Sequence, residues 1–247
     1  MRLLVPLAAV AVLAACSSGD GASPAGSTPS AATTPSPVAT TPTNPYADLS
    51  ASRLSQQLLS AASTGNADKV ELLLAAGAEL ESRDSRDRTP LLLAVTRDRV
   101  EAARVLVDAG ADPDALDDRH DTPWLVTGVT GSVAMAKVVL EADPDLTIRN
   151  RFGGISHIPA SERGHADYVA YVLDTTDIAV DHVNDLGWTA LLEAVILGQG
   201  TEPWQQIVES LVRHGADVSI ADRNGITPLQ HARRLGFTEI ARILERA

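Results

Sequence analysis

RTPLLLAVTRDRVEAARVLVDAGADPDALD, residues Arg88 to Asp117, sets the architecture of the chain. The Thr89 hydroxyl can accept a backbone N–H as a helix N-cap, and Pro90 suits the first helical position, where no donor is needed. Leu91, Ala94 and Val95 then share one face of a short helix, with Ala94 small enough for close packing. After a break at Thr96–Asp98, a second apolar face runs through Val100, Ala103, Val105, Leu106 and Val107. Gly110 suits the left-handed position that ends a helix, and Ala111-Asp112-Pro113 starts a turn. The unit reads helix, turn, helix, hairpin. Neither short helix can bury its apolar face alone, so the unit needs copies of itself on both sides.

The copies are present. Thr89-Pro90 recurs as Thr122-Pro123, and the same register falls on Ile155-Ser156, Thr189-Ala190 and Thr227-Pro228. The first two steps are about 33 residues, the next is longer by one and the last by about five. A closing signal recurs as Gly77-Ala78-Glu79, Gly110-Ala111-Asp112, Asp143-Pro144-Asp145 and Gly215-Ala216-Asp217. TPLLLA (Thr89–Ala94) and TPLQHA (Thr227–Ala232) resemble the TPLHxA motif of the ankyrin-repeat family, and Gly164-His165 resembles its mid-repeat Gly-His. The resemblance covers roughly Ser52 to Ala247. It implies an all-α ankyrin-repeat solenoid of about six repeats, caps included, with stacked helix-turn-helix units joined by β-hairpin-like connections.

Several departures from the repeat pattern carry expectations of their own. The first repeat has no Thr-Pro, so Ser50 or Ser52 is expected to cap its first helix. Trp124 replaces the usual leucine and is expected in the core. In the fourth repeat Pro159 falls near the fourth helical position, where it removes a helix hydrogen bond and should make the start irregular. The fifth repeat carries an insertion of about five residues within Leu197–Trp204. Trp204 there either plugs its own loop or offers a second contact surface. The last repeat ends on Arg233, Arg234, Glu239, Arg242, Glu245 and Arg246, a charged C-terminal cap.

The N-terminus has a different character. Met1-Arg2 precedes an apolar run, Leu3–Val12, which is too short to span a bilayer but suits a secretory signal. It ends in Leu13-Ala14-Ala15-Cys16, which resembles the bacterial lipobox, and Cys16 is the sole cysteine of the chain. The resemblance implies cleavage before Cys16 and acylation there. Two or three acyl chains suffice for stable anchoring. Residues 17–44 are almost all Ser, Thr, Pro, Ala and Gly, with Asp20 the only charge. Such a stretch has nothing to bury and should act as a disordered tether with a mean reach of about 30 Å. The expected division is therefore 1–15 lipoprotein signal peptide, 16–45 lipidated cysteine and tether, and 46–247 repeat domain.

The formal charge of −12 disfavours nucleic acid, which is held by clustered Lys and Arg. One cysteine excludes an intrachain disulfide and a multi-cysteine zinc site. No serine-hydrolase, Walker, dinucleotide or zinc-protease motif occurs in a plausible context, so no enzyme, cofactor, metal or small-molecule substrate is expected. Histidines 120, 157, 165, 182, 214 and 231 are scattered. His157 and His182 come from one repeat but would need a third metal ligand, such as Asp181 or Asp185. The family resemblance makes His165 a tie between neighbouring loops.

What remains is a surface. In ankyrin arrays partners are usually gripped by hairpin tips and the concave face, and this chain is expected to do so as a monomer. Carried over by position, the tips include Arg119 and Asp121 in repeat three, Arg151 and Phe152 in repeat four, and Asp185, Leu186 and Trp188 in repeat five. Glu162 and Arg163, near the end of a first helix, would add a polar rim. Trp, Phe and Arg are enriched at interfaces, so this cluster is the candidate partner-binding patch. The alternative is that Phe152 and Trp188 clamp the hairpins, and both can hold together. The expected role is a membrane-tethered, extracytoplasmic protein-binding module of the cell envelope. The alternatives are a scaffold or accessory factor for an exported enzyme, or more remotely a small-ligand binder or enzyme.

Overall fold

A computed structural model describes residues 44–247; the expected signal peptide, Cys16 and nearly all of the expected tether lie outside the described residues. Twelve α-helices, and no strand, make up the regular structure of the described residues. They fall into six consecutive pairs: α1 (Ala51–Thr64) with α2 (Ala67–Ala75), α3 (Pro90–Thr96) with α4 (Val100–Asp108), α5 (Pro123–Thr130) with α6 (Val133–Leu140), α7 (His157–Arg163) with α8 (Ala166–Thr175), α9 (Ala190–Ile196) with α10 (Glu202–Arg213), and α11 (Pro228–Leu235) with α12 (Thr238–Leu244). Each first helix packs on the first helix of the next pair, and each second helix on the next second helix. The result is a two-layered solenoid with one mainly aliphatic core running from Leu54 to Leu244.

The threonines cap the first helices as their position requires. Thr89, Thr122, Thr189 and Thr227 each accept the amide three residues on, at 3.1, 3.1, 3.3 and 3.3 Å. Thr227 also forms a capping box with Gln230. Ser50 is the N-cap position of α1, without a side-chain cap bond. Thr89→Ala should therefore cost about 1 kcal/mol, a loss of about 2–4 °C in a thermal melt.

Repeat four obeys the proline. Elsewhere the cap carbonyl accepts the amide four residues on, as in Leu93 N to Thr89 O at 3.0 Å. Pro159 has no such donor, so Ile155 O instead accepts the Ile158 amide at 3.0 Å, and α7 begins only at His157. Trp124 is fully buried, as expected of its register. Thr127, at the usual alanine position, is satisfied by Tyr168 of the next repeat, whose hydroxyl lies 2.7 Å from its own. Burial pushes the Tyr168 hydroxyl up to about 12, so it keeps its proton and can donate.

The insertion in repeat five is only partly a loop. Its C-terminal part lengthens α10 to 12 residues, and Trp204 sits in the first turn. The indole is buried against Gly164, and its Nε1 donates to Glu162 O at 3.2 Å. Of the two roles open for Trp204, packing is the one it plays. At the last repeat Arg233 pairs with Glu245, and Arg242 with Glu239, which closes the stack with a charged end.

Candidate functional site: the tip-lined groove

Five tips between repeats share one hydrogen-bond design. Asp84, Asp117, Asn150, Asn184 and Asp222 each accept the amides two and four residues on through a side-chain oxygen, at 2.8–3.1 Å. Their own amides donate to the carbonyl four residues on. The short polar side chain thus replaces a backbone partner and locks each turn. Neighbouring tips are tied as well: Asp118 N donates to Arg86 O at 3.1 Å and Asp185 N to Phe152 O at 2.9 Å. Histidines fasten adjacent repeats in the same way. His165 Nε2 donates to Val129 O at 3.2 Å, the tie expected of it, and His182 Nε2 donates to Gly153 O at 2.7 Å.

Between these tips and the first helices lies an open groove of about 460 Å³. Phe152 (52% exposed), Leu186 (47%), Leu197 (45%) and Val129 (38%) contribute apolar surface to it. Charged groups surround them. Arg151 stacks on the Phe152 ring with its guanidinium carbon 4.5 Å from the centroid, and its Nη1 lies 3.4 Å from Asp121. Arg163 pairs with Glu162 at 3.0 Å. Burial lifts the Asp121 carboxyl above its ordinary range; Asp117 adds to the shift and Arg151 opposes it. Arg86 and Arg119 also line the groove, and neither has a carboxylate partner among the described residues.

The structure brings together Arg119, Asp121, Arg151, Phe152, Glu162 and Leu186 along this groove. Asp185 is exposed on its tip, where its amide holds the Phe152 carbonyl. Trp188 is half-buried at the last position of the same tip, outside the groove lining. The His157–His182 pair is spent elsewhere. His157 is fully buried, burial pulls it down to about 4, and its Nε2 donates to Val180 O at 3.3 Å. No group of three metal-ligating side chains occurs among the described residues.

One groove residue does not stand out in the sequence. Glu193 occupies the fourth position of α9, where repeat two has Leu93, and is only 5% exposed. Asn184 of the tip donates to its Oε1 at 2.7 Å. Burial pushes its carboxyl up to about 7, and the charge of Glu162 adds to the shift; the Asn184 bond and Arg163 oppose it. The last repeat repeats the geometry with His231, whose Nε2 lies 2.9 Å from Asp222. A polar residue at the fourth helical position, facing the first tip residue, is the shared signal at both places.

Paired helices stacked behind a groove lined with polar tips form a repeat scaffold, the class of architecture that works by displaying side chains. The chain belongs to the ankyrin-repeat family. Residues 58–150 match a family model of three ankyrin repeats, and residues 186–223 match a single-repeat model. The chain is 38% identical to the putative ankyrin repeat protein YahD of Escherichia coli (strain K12) over 79% of its own length and 98% of that protein. It is 39% identical over 33% of its length to 50% of the protein phosphatase 1 regulatory subunit 27 of Mus musculus. A crystallised ankyrin repeat domain from Acinetobacter baumannii AYE superposes with a TM-score of 0.73 at 40% identity, covering 77% of this chain and 96% of that one. A second crystallised ankyrin repeat protein gives 0.74 at 38% identity, covering 78% and 98%. Ankyrin-repeat proteins are in general non-enzymatic scaffolds for protein interaction, and the repeats of this chain imply a protein-interaction module.

Proposed function

We propose that the chain is a lipid-anchored, extracytoplasmic protein-binding module of the cell envelope. In this reading Cys16 holds the protein to a membrane, residues 16–45 act as a tether, and a partner protein docks in the groove formed by repeats two to five. The observation that carries the docking site is the clustering of exposed Phe152, Leu186, Leu197 and Val129 inside a rim of ion pairs. Apolar anchors ringed by polar groups are the usual composition of a binding hot spot. The anchor is supported by the lipobox-like Leu13-Ala14-Ala15-Cys16. No helix of the described residues is long and apolar enough to cross a membrane itself.

Affinity capture from envelope extract tests the docking site. Phe152→Ala/Leu186→Ala should weaken partner retention by at least about tenfold while leaving the melt unchanged, since both side chains are exposed. Undiminished capture by the folded double variant would remove the groove from the reading. Trp188→Ala, run beside it, reports whether that ring contributes from outside the groove. For the anchor, Cys16→Ala should shift the protein from the membrane fraction to the soluble one. Continued extraction by detergent alone would contradict lipidation.

A further inference from the structure

Glu193 is an odd residue to find beneath a groove. It is more than nine-tenths buried, yet it lines the groove surface, and its two oxygens are not treated alike. Oε1 is held by Asn184 at 2.7 Å, whereas Oε2 accepts no hydrogen bond among the described residues. Glu162 stands close enough to raise the cost of ionising Glu193, and Arg163, the cation that opposes it, is already bound to Glu162 at 3.0 Å. The unpaired Oε2 belongs to a carboxyl that lines the groove, where a positive charge with N–H donors is the group that complements it. The apolar surfaces of Phe152 and Leu186 line the same groove and are suited to the methylene stem of such a side chain.

We infer that Glu193, with Glu162 beside it, is a subsite for a cationic side chain, arginine or lysine, presented by the protein that docks in the groove. The inference rests on the reading of the groove as the docking site and adds the chemistry of the occupant. Asn184 fixes one oxygen of the receiving carboxylate, so its orientation is set before binding. A planar guanidinium fits such a site better than an ammonium, because it presents several N–H donors in a fixed fork.

The test uses the full-length protein in detergent with two small probes, acetyl-arginine amide and its neutral isostere acetyl-citrulline amide, followed by NMR. The arginine probe should produce saturable shifts at Asn184, Glu193 and Glu162, and should bind about tenfold more tightly than the citrulline probe. Glu193→Gln, which keeps the shape and the Asn184 contact, should abolish that preference. Equal binding of the two probes, or an unchanged preference in Glu193→Gln, overturns the subsite. The probe needs no partner protein, so this failure is separate from that of the groove reading, which falls only if Phe152→Ala/Leu186→Ala leaves partner capture intact.

Discussion

Replacing Gly128 with alanine should lower the melting temperature by about 6–12 °C, as overpacking costs and the size of the domain dictate. Gly128 lies inside α5, and a Cβ built there would come within 1.9 Å of the carbonyl oxygen of Ser156 in the next repeat. Its backbone is helical, so conformational strain plays no part. By helix propensity alone alanine would stabilise the site by about 1 kcal/mol. The clash reverses that sign, because the obstructing atom is main chain and cannot swing aside. Overpacking of this kind costs about 3 kcal/mol or more, and a domain of this size loses about 2–4 °C per kcal/mol. In a solenoid the damage is confined to one interface, between repeats three and four, so the two halves should begin to melt separately. Calorimetry reads both effects. An unshifted single transition would mean that α5 and α7 are not in the close contact described.

The second large effect concerns Glu193→Gln, which should stabilise the protein above neutral pH. The folded-state value of Glu193 is about 7, raised from an ordinary 4.5 by burial and then by Glu162. Between pH 4.5 and 7 the folded protein therefore holds a proton that the unfolded chain releases. Stability falls as pH rises through that window and is level above it. The full penalty is on the order of 3 kcal/mol at about pH 8. The substituted amide carries no charge to desolvate, so denaturant unfolding of the variant and the native protein should diverge progressively from about pH 5 to about pH 8. His157 works in the opposite direction. Held neutral with a value of about 4, it makes the fold less stable as pH drops below its ordinary 6.5. The two slopes overlap, so the difference between variant and native protein, and not the native profile alone, isolates Glu193. A constant difference across this range would show that Glu193 is not buried as a carboxylate. A side chain that costs this much stability is the kind retained for a use other than folding.

The repeat architecture is legible because it is encoded redundantly. Thr89, Thr122, Thr189 and Thr227 mark the starts, Gly110 and Gly215 mark the ends, and apolar helix faces supply the core between them. Even the departure at Pro159 can be read, since a missing N–H has only one local consequence. Other features depend on contacts between repeats and leave no local trace. Thr127 reads as a defect at an alanine position, and only Tyr168, 41 residues away, explains it. Trp204 reads as part of an inserted loop, but it lies in the first turn of a helix and fills the space beside Gly164. Glu193 has no local mark of burial, because its place on the groove floor is set by Asn184 and α7 and not by its own neighbours in the chain. The tip residues follow from the repeat period, which gives the position along the stack. Period alone does not separate Phe152 and Leu186, which line the groove, from Trp188, which is half-buried outside it.

Photo-crosslinking in cells asks whether a partner occupies the groove. A photoreactive phenylalanine analogue would be placed in turn at positions 152 and 186 in the groove, and at 101 and 209, exposed on the second helices α4 and α10. We expect one discrete partner to be captured from 152 and 186, and nothing from 101 and 209. Capture from the second helices with silence at the groove would contradict the assignment of the groove as the docking site.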